Sequence, residues 1–145
     1  MDKNDAHTHG TIGCQIIILT SDNRVLLHLR DDKTGIAFPN TWCIPGGHLD
    51  DGEEPLDCVV RELDEEMQIT VRPDEVQHLF SRQRSYGFEH TYWIRRDVDT
   101  SAICVTEGRA LELHTQDDVS TMHLGYEDND VLEEFFSLVD SHRST

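Results

Sequence analysis

The chain has 145 residues, 37% of them apolar, which suits one hydrophobic core and leaves little room for a second. Acidic residues number 29 against 12 basic ones, and the formal charge of -17 excludes a broad nucleic-acid or anionic-membrane surface on electrostatic grounds. The longest strongly apolar run, Ile16-Ile17-Ile18-Leu19, is far too short to cross a bilayer, so the expected location is cytoplasmic. Cys14, Cys43, Cys58 and Cys104 are scattered without a C-x-x-C pair; four buried, reduced thiols are expected, with neither a zinc knuckle nor a disulfide framework.

Residues 1–10 are polar and without apolar period, which predicts a flexible arm ahead of a single domain over 11–145. A β-branched run at 12–19, a turn at Ser21-Asp22-Asn23 and the apolar residues Val25, Leu26, Leu27 and Leu29 predict a β-hairpin. Residues 31–40, with Gly35 and Pro39, read as a loop into a short strand at Trp42-Cys43-Ile44, which Pro45-Gly46-Gly47 breaks. Pro55 sits where a first helical residue belongs, and Leu56, Val59, Val60, Leu63 and Met67 share one face of a helix over 56–67. Further strands are expected at 76–80, 89–98 and 110–115, followed by one helical turn at 116–120. The period of Val131, Leu132, Phe135, Leu138 and Val139 predicts a closing amphipathic helix over 129–139. Interleaved strands and helices place the chain in the α/β class, as a mixed β-sheet sandwiched between α-helices.

The chemistry is concentrated in residues 46–69. On the predicted helix Glu62, Glu65 and Glu66 stand at i, i+3 and i+4, so three like charges share one arc. They repel one another in water, and a divalent cation is the natural compensation. An oxygen-only set favours Mg²⁺ or Mn²⁺ over zinc. Asp57 and Asp64 point elsewhere on the helical wheel.

The whole segment follows the spacing G-x5-E-x7-R-E-U-x-E-E-x-G-U, U being a bulky apolar residue, at Gly47, Glu53, Arg61, Glu62, Leu63, Glu65, Glu66 and Ile69. This resembles the Nudix hydrolase family. One position departs from it: Gln68 stands where the family has glycine, at a helix end that then needs an unusual backbone for a residue with a side chain.

The resemblance implies a Nudix fold and Mg²⁺-dependent (or Mn²⁺-dependent) hydrolysis of a pyrophosphate bond, with a small nucleoside diphosphate derivative as partner and neither nucleic-acid polymer nor membrane. It implies metal ligation by the Gly46 carbonyl and by Glu62, Glu65 and Glu66. Arg61 would orient the acidic cluster by pairing with Glu53. Glu107, in Thr106-Glu107-Gly108-Arg109, resembles the E-G-Q segment of MutT-type members and would join the metal centre. The general base stays open among Glu62, Glu65 and Glu107. Arg30, Arg84, Tyr86 and His90 are candidates for holding base, sugar or distal phosphate. The same segment around Glu107 leans toward a MutT-like nucleoside triphosphate pyrophosphohydrolase giving monophosphate and pyrophosphate. Hydrolysis of nucleotide sugars or dinucleoside polyphosphates is the alternative, as is a non-catalytic nucleotide-binding regulator. Dimers among relatives imply a homodimer as a further expectation.

Overall fold

A computed structural model describes residues 12–103 and 110–143. The predicted arm at 1–10 and Glu107 lie outside the described residues. The sheet is organised around β1 (Ile12–Leu19), whose burial along almost its whole length explains its largely apolar sequence. β1 runs parallel to β6 (Gly87–Arg95) over eight residue pairs, and β6 in turn pairs antiparallel with the edge strand β5 (Gln77–Arg84). On its other side β1 splits its partners. Residues 13–15 pair with β4 (Gly46–His48), while Leu19 pairs with Val25 of β2 (Arg24–Leu29). β2 carries β7 (Ala110–Thr115) along its full length and the two-residue β3 (Trp42–Cys43) at its end. The predicted hairpin is therefore closed only at its turn and opens where other strands intervene.

Because side chains alternate along β1, the sheet has two cores. Cys14, Ile16 and Ile18 face α1 (Pro55–Met67), packing with Val59, Leu63 and Met67. Ile17 and Leu19 face α3 (Asp128–Arg143), packing with Val131, Leu132, Phe135 and Phe136. The short α2 (Gln116–Ser120) precedes α3 and is capped by Thr115, whose side chain accepts from the Asp118 amide. The expected sandwich of a mixed sheet between helices is the observed architecture.

Four local expectations are corrected. Gly46 and Gly47 form β4 instead of ending a strand: a Cβ on Gly46 would fall 2.1 Å from the Cys14 carbonyl oxygen, so only a bare backbone lies this close to β1. β5 and β6 extend toward each other around a tight turn at Ser85-Tyr86, the polar residues 81–84 being held in β5 by their pairing with 87–90 of β6. On α3 Phe136 is buried and Leu138 is 43% exposed, because at about 100° per residue Leu138 falls at the margin of the arc that Leu132, Phe135, Phe136 and Val139 share. Cys14 and Cys58 form a disulfide between β1 and α1, their Cα atoms 6.6 Å apart, while Cys43 is buried on β3. The sequence separation of 44 hides that pairing. Cys104 lies outside the described residues.

Candidate active site

Helix α1 buries two acids together with its apolar stripe: Glu62 is 4% and Glu66 7% exposed. They face Pro45, Gly46 and Ile16 in a narrow cleft between the helix and the start of β4. Gly47 is the reason the helix approaches so closely, since a Cβ there would lie 2.5 Å from the Glu62 carboxylate. Burial raises the pKa of Glu62 above the ordinary carboxylate value, against the lowering effects of a hydrogen bond with Glu66 and the charge of Arg61.

Arg61 organises the cluster. Its Nε and Nη2 donate to Glu53 Oε2 and Oε1 at 2.8 and 2.9 Å, the two-pronged geometry in which a guanidinium fits a carboxylate. Nη2 also donates to the His48 carbonyl at 3.2 Å, and Nη1 to Glu62 and Glu65 at 3.0 and 3.2 Å. The partnership of Arg61 with Glu53 is the one expected from sequence. Glu53 also accepts the Asp50 amide at 3.0 Å, and these bonds, that to Arg61 foremost, hold its pKa below the usual carboxylate range.

Glu65 is largely exposed and turned toward Arg61, so the buried pair is Glu62 and Glu66. Among the described residues no group of three His, Cys, Asp or Glu side chains is gathered to hold a metal ion. The donors nevertheless fit a hard divalent cation: Glu62 and Glu66 are buried acids beside Pro45 and Gly46, and the Arg61 guanidinium that meets Glu62 is also committed to Glu53.

The four residues expected to contact substrate divide between the two faces of the sheet. Arg30, Arg84 and Tyr86 belong to the α3 side. The Arg30 guanidinium lies 5.3 Å from the Tyr126 ring centroid and donates from Nε to the Ala37 carbonyl at 2.9 Å. Tyr86 meets the same Tyr126 ring edge-on at 5.3 Å and donates its hydroxyl to Glu89 at 2.9 Å; burial first, then the Glu89 charge, raises its pKa. Arg84 has Nε and Nη2 buried without a hydrogen-bond partner among the described residues. His90 points to the opposite, α1 side, where Ser81 Oγ lies 2.7 Å from its Nδ1 and 2.8 Å from His78 Nε2. A register shift between His78 and Phe80 sets which β5 residues share a face with it.

Sequence reasoning missed Tyr126, which is 1% exposed at φ 58° and meets the tilted ring of Phe38 at 4.6 Å between centroids. It also missed Asp128, fully buried at the start of α3, where Oδ2 accepts the Ile44 amide at 2.8 Å. The segment Gly125-Tyr126-Glu127 just ahead of a helix was the available signal.

Zebrafish (Danio rerio) m7GpppN-mRNA hydrolase NUDT17 is 42% identical over 60 residues, 41% of this chain and 20% of that protein. An RNA pyrophosphohydrolase of Francisella tularensis subsp. mediasiatica is 35% identical over 74 residues, 51% of this chain and 43% of that protein. The chain thus spans less than half the length of these curated relatives. Among solved structures, the NUDIX domain of Shewanella oneidensis NrtR, complexed with ADP ribose, superposes with a TM-score of 0.75 at 17% identity, covering 91% of this chain and 90% of that one. A MutT structure from work on Aliivibrio salmonicida and Vibrio cholerae gives a TM-score of 0.72 at 22% identity, covering 88% and 98%. A family model described as the NUDIX domain matches residues 11–136, across both cores and the whole acidic box, and the chain belongs to that family.

Proposed function

We propose that this chain is a divalent-cation-dependent hydrolase that cleaves a pyrophosphate bond in a nucleoside diphosphate derivative, with nucleoside triphosphates as the preferred class. The observation that carries this reading is the buried pair Glu62 and Glu66 set against Gly46, with Arg61 fixing the helix that bears them. Glu62, Glu66 and the Gly46 carbonyl are the groups that would hold Mg²⁺ or Mn²⁺, joined by Glu65 and Glu107. The cation, when bound, supplies charge neutralisation at the phosphate oxygens and a lower pKa for the attacking water. The remaining roles belong to the chain. Arg61 holds the carboxylates in one array, and Glu62, Glu65 or Glu107 takes the proton from the attacking water. On the α3 side the unpartnered edge of Arg84 suits a phosphate or carbonyl oxygen, and Tyr86, Tyr126 and Arg30 offer aromatic and cationic surface to a nucleoside.

The names of the two curated relatives point to substrates at RNA 5′ ends. The charge of -17 opposes a long RNA backbone, which favours the small nucleotide. The test is a ³¹P NMR turnover screen with Mg²⁺ over nucleoside triphosphates, nucleotide sugars, dinucleoside polyphosphates and a 5′-triphosphorylated RNA, with Glu66→Gln as control. Cleavage by the wild type that is lost in the variant supports the hydrolase, and the products name the class. Binding without turnover across the panel replaces it with a nucleotide-sensing role.

A further inference from the structure

The mechanism leaves one pair of reactive groups unused. Cys14 on β1 and Cys58 on α1 are both fully buried and joined, and they tie the acidic helix to the central strand. Cys58 lies one helical turn before Glu62, and its Sγ is 3.9 Å from Nη2 of Arg61, the same nitrogen that holds Glu53 and the His48 carbonyl. A covalent bond at this place acts on the helix that carries the box, at its contact with the arginine that orders the box.

We propose that Cys14 and Cys58 are a peroxide-oxidised dithiol whose bridge fixes α1 against β1, and whose reduced form loosens the helix beneath the acidic cluster. The Cys58 sulfur attacks hydrogen peroxide; the O–O bond breaks, the S–O bond of a sulfenic acid forms, and one water leaves. Cys14 then attacks that sulfur; the S–O bond breaks, the S–S bond forms, and a second water leaves. Two thiols are oxidised by two electrons and one peroxide is reduced to two waters. Arg61 Nη2, 3.9 Å from Cys58 Sγ, marks Cys58 as the sulfur that opens the sequence. Cys43, on β3 and outside this pair, takes no part.

The test compares two forms of the full wild-type chain, one reduced with a phosphine and one then treated with hydrogen peroxide. After peroxide, intact mass should fall by two hydrogens. Alkylation of the unfolded chain should spare positions 14 and 58 while labelling 43, and a cross-linked peptide pair should contain Cys14 and Cys58. Amide exchange across α1 should slow about tenfold in the oxidised form and recover on reduction. Cys14→Ser should abolish both the cross-link and the change in exchange, and Cys43→Ser should keep both. Free thiols at 14 and 58 after peroxide, a bridge to another cysteine, equal α1 exchange in the two forms, or slowed exchange surviving in Cys14→Ser would overturn the proposal. These readouts follow thiols and amides, so they stand apart from the outcome of the turnover screen.

Discussion

Arg61 grips Glu53 through two parallel hydrogen bonds of 2.8 and 2.9 Å, so the loop before α1 and the second turn of the helix move as one body. Glu53→Gln keeps the shape and removes the charge, and we expect a loss of about 2 kcal/mol in urea unfolding at pH 7, the usual size for a charge-assisted hydrogen bond. The pH dependence has a definite sign. The folded-state pKa of Glu53 is depressed, so its stabilisation is present above the ordinary carboxylate value and is lost as pH falls through the lower folded value. Glu53→Gln should therefore show a shallower loss of stability between neutral and acid pH than the wild type.

Gly46 and Gly47 are adjacent and fail differently. An added Cβ at Gly46 meets backbone, the Cys14 carbonyl oxygen at 2.1 Å, whereas at Gly47 it meets a side chain, the Glu62 carboxylate at 2.5 Å. Gly46→Ala should separate β4 from β1 and cost about 3 kcal/mol, at the upper end for overpacking. Gly47→Ala should displace the carboxylate, leaving the urea midpoint nearly unchanged and turnover down about 100-fold. Equal loss of stability in both variants would remove the distinction.

The buried acids oppose stability and serve the proposed chemistry. Because the folded-state pKa of Glu62 is raised, its protonated form is favoured by folding, and that contribution fades as pH rises through the folded value. Glu62 and Glu66 are neighbouring buried acids whose ionisation burial opposes. Glu66→Gln should raise the melting temperature of the metal-free chain by a few degrees, equivalent to about 1 kcal/mol, while lowering Mg²⁺-dependent turnover at least 100-fold. Added Mg²⁺ should raise the melting temperature of the wild type more than that of the variant.

What the sequence made legible was whatever depends on local period and spacing. Leu56, Val59, Leu63 and Met67 with Pro55 ahead of them mark α1, and the interval from Glu53 to Arg61 encodes the clamp. What it hid depends on partners distant along the chain. β4 contains no strand-forming residue in Gly46-Gly47 and exists because β1 supplies the pairing. Cys14 meets Cys58, and Tyr86 meets Tyr126, only once the sheet and the helices are assembled. That His78 joins Ser81 on the face of His90 depends on a bulge near Leu79, which no alternation in Gln77–Arg84 announces, because a single extra residue reverses which side chains face each core.

Arg84 carries buried Nε and Nη2 groups with no hydrogen-bond partner among the described residues, an arrangement that costs stability unless a ligand meets it. Arg84→Met retains the packing of the stem and removes the charge. We expect the folded chain to be at least as stable as the wild type and KM for the nucleotide to rise about tenfold, with kcat within a factor of two, the pattern of lost uniform binding. A fall in kcat with KM unchanged would instead assign Arg84 to the reacting phosphates.

Gln68 ends α1 in the left-handed region at φ 54° and ψ 32°, the conformation for which glycine is favoured. Its amide donates to the Asp64 carbonyl at 3.1 Å, and the next amide, of Ile69, reaches back to Leu63 at 3.1 Å, so the end is well hydrogen-bonded despite its backbone. The side chain contributes only a long contact to the Glu65 carbonyl at 3.4 Å. A non-glycine residue in this region costs about 1 kcal/mol, and Gln68→Gly recovers most of it, less the greater entropy of glycine in the unfolded chain. The expected result is a melting temperature higher by about 2 °C, with turnover unchanged because Gln68 lies outside the acidic cluster. Gln68→Ala keeps the unfavourable backbone and should give no gain. A gain from alanine equal to that from glycine would place the effect in the side chain and refute the backbone argument.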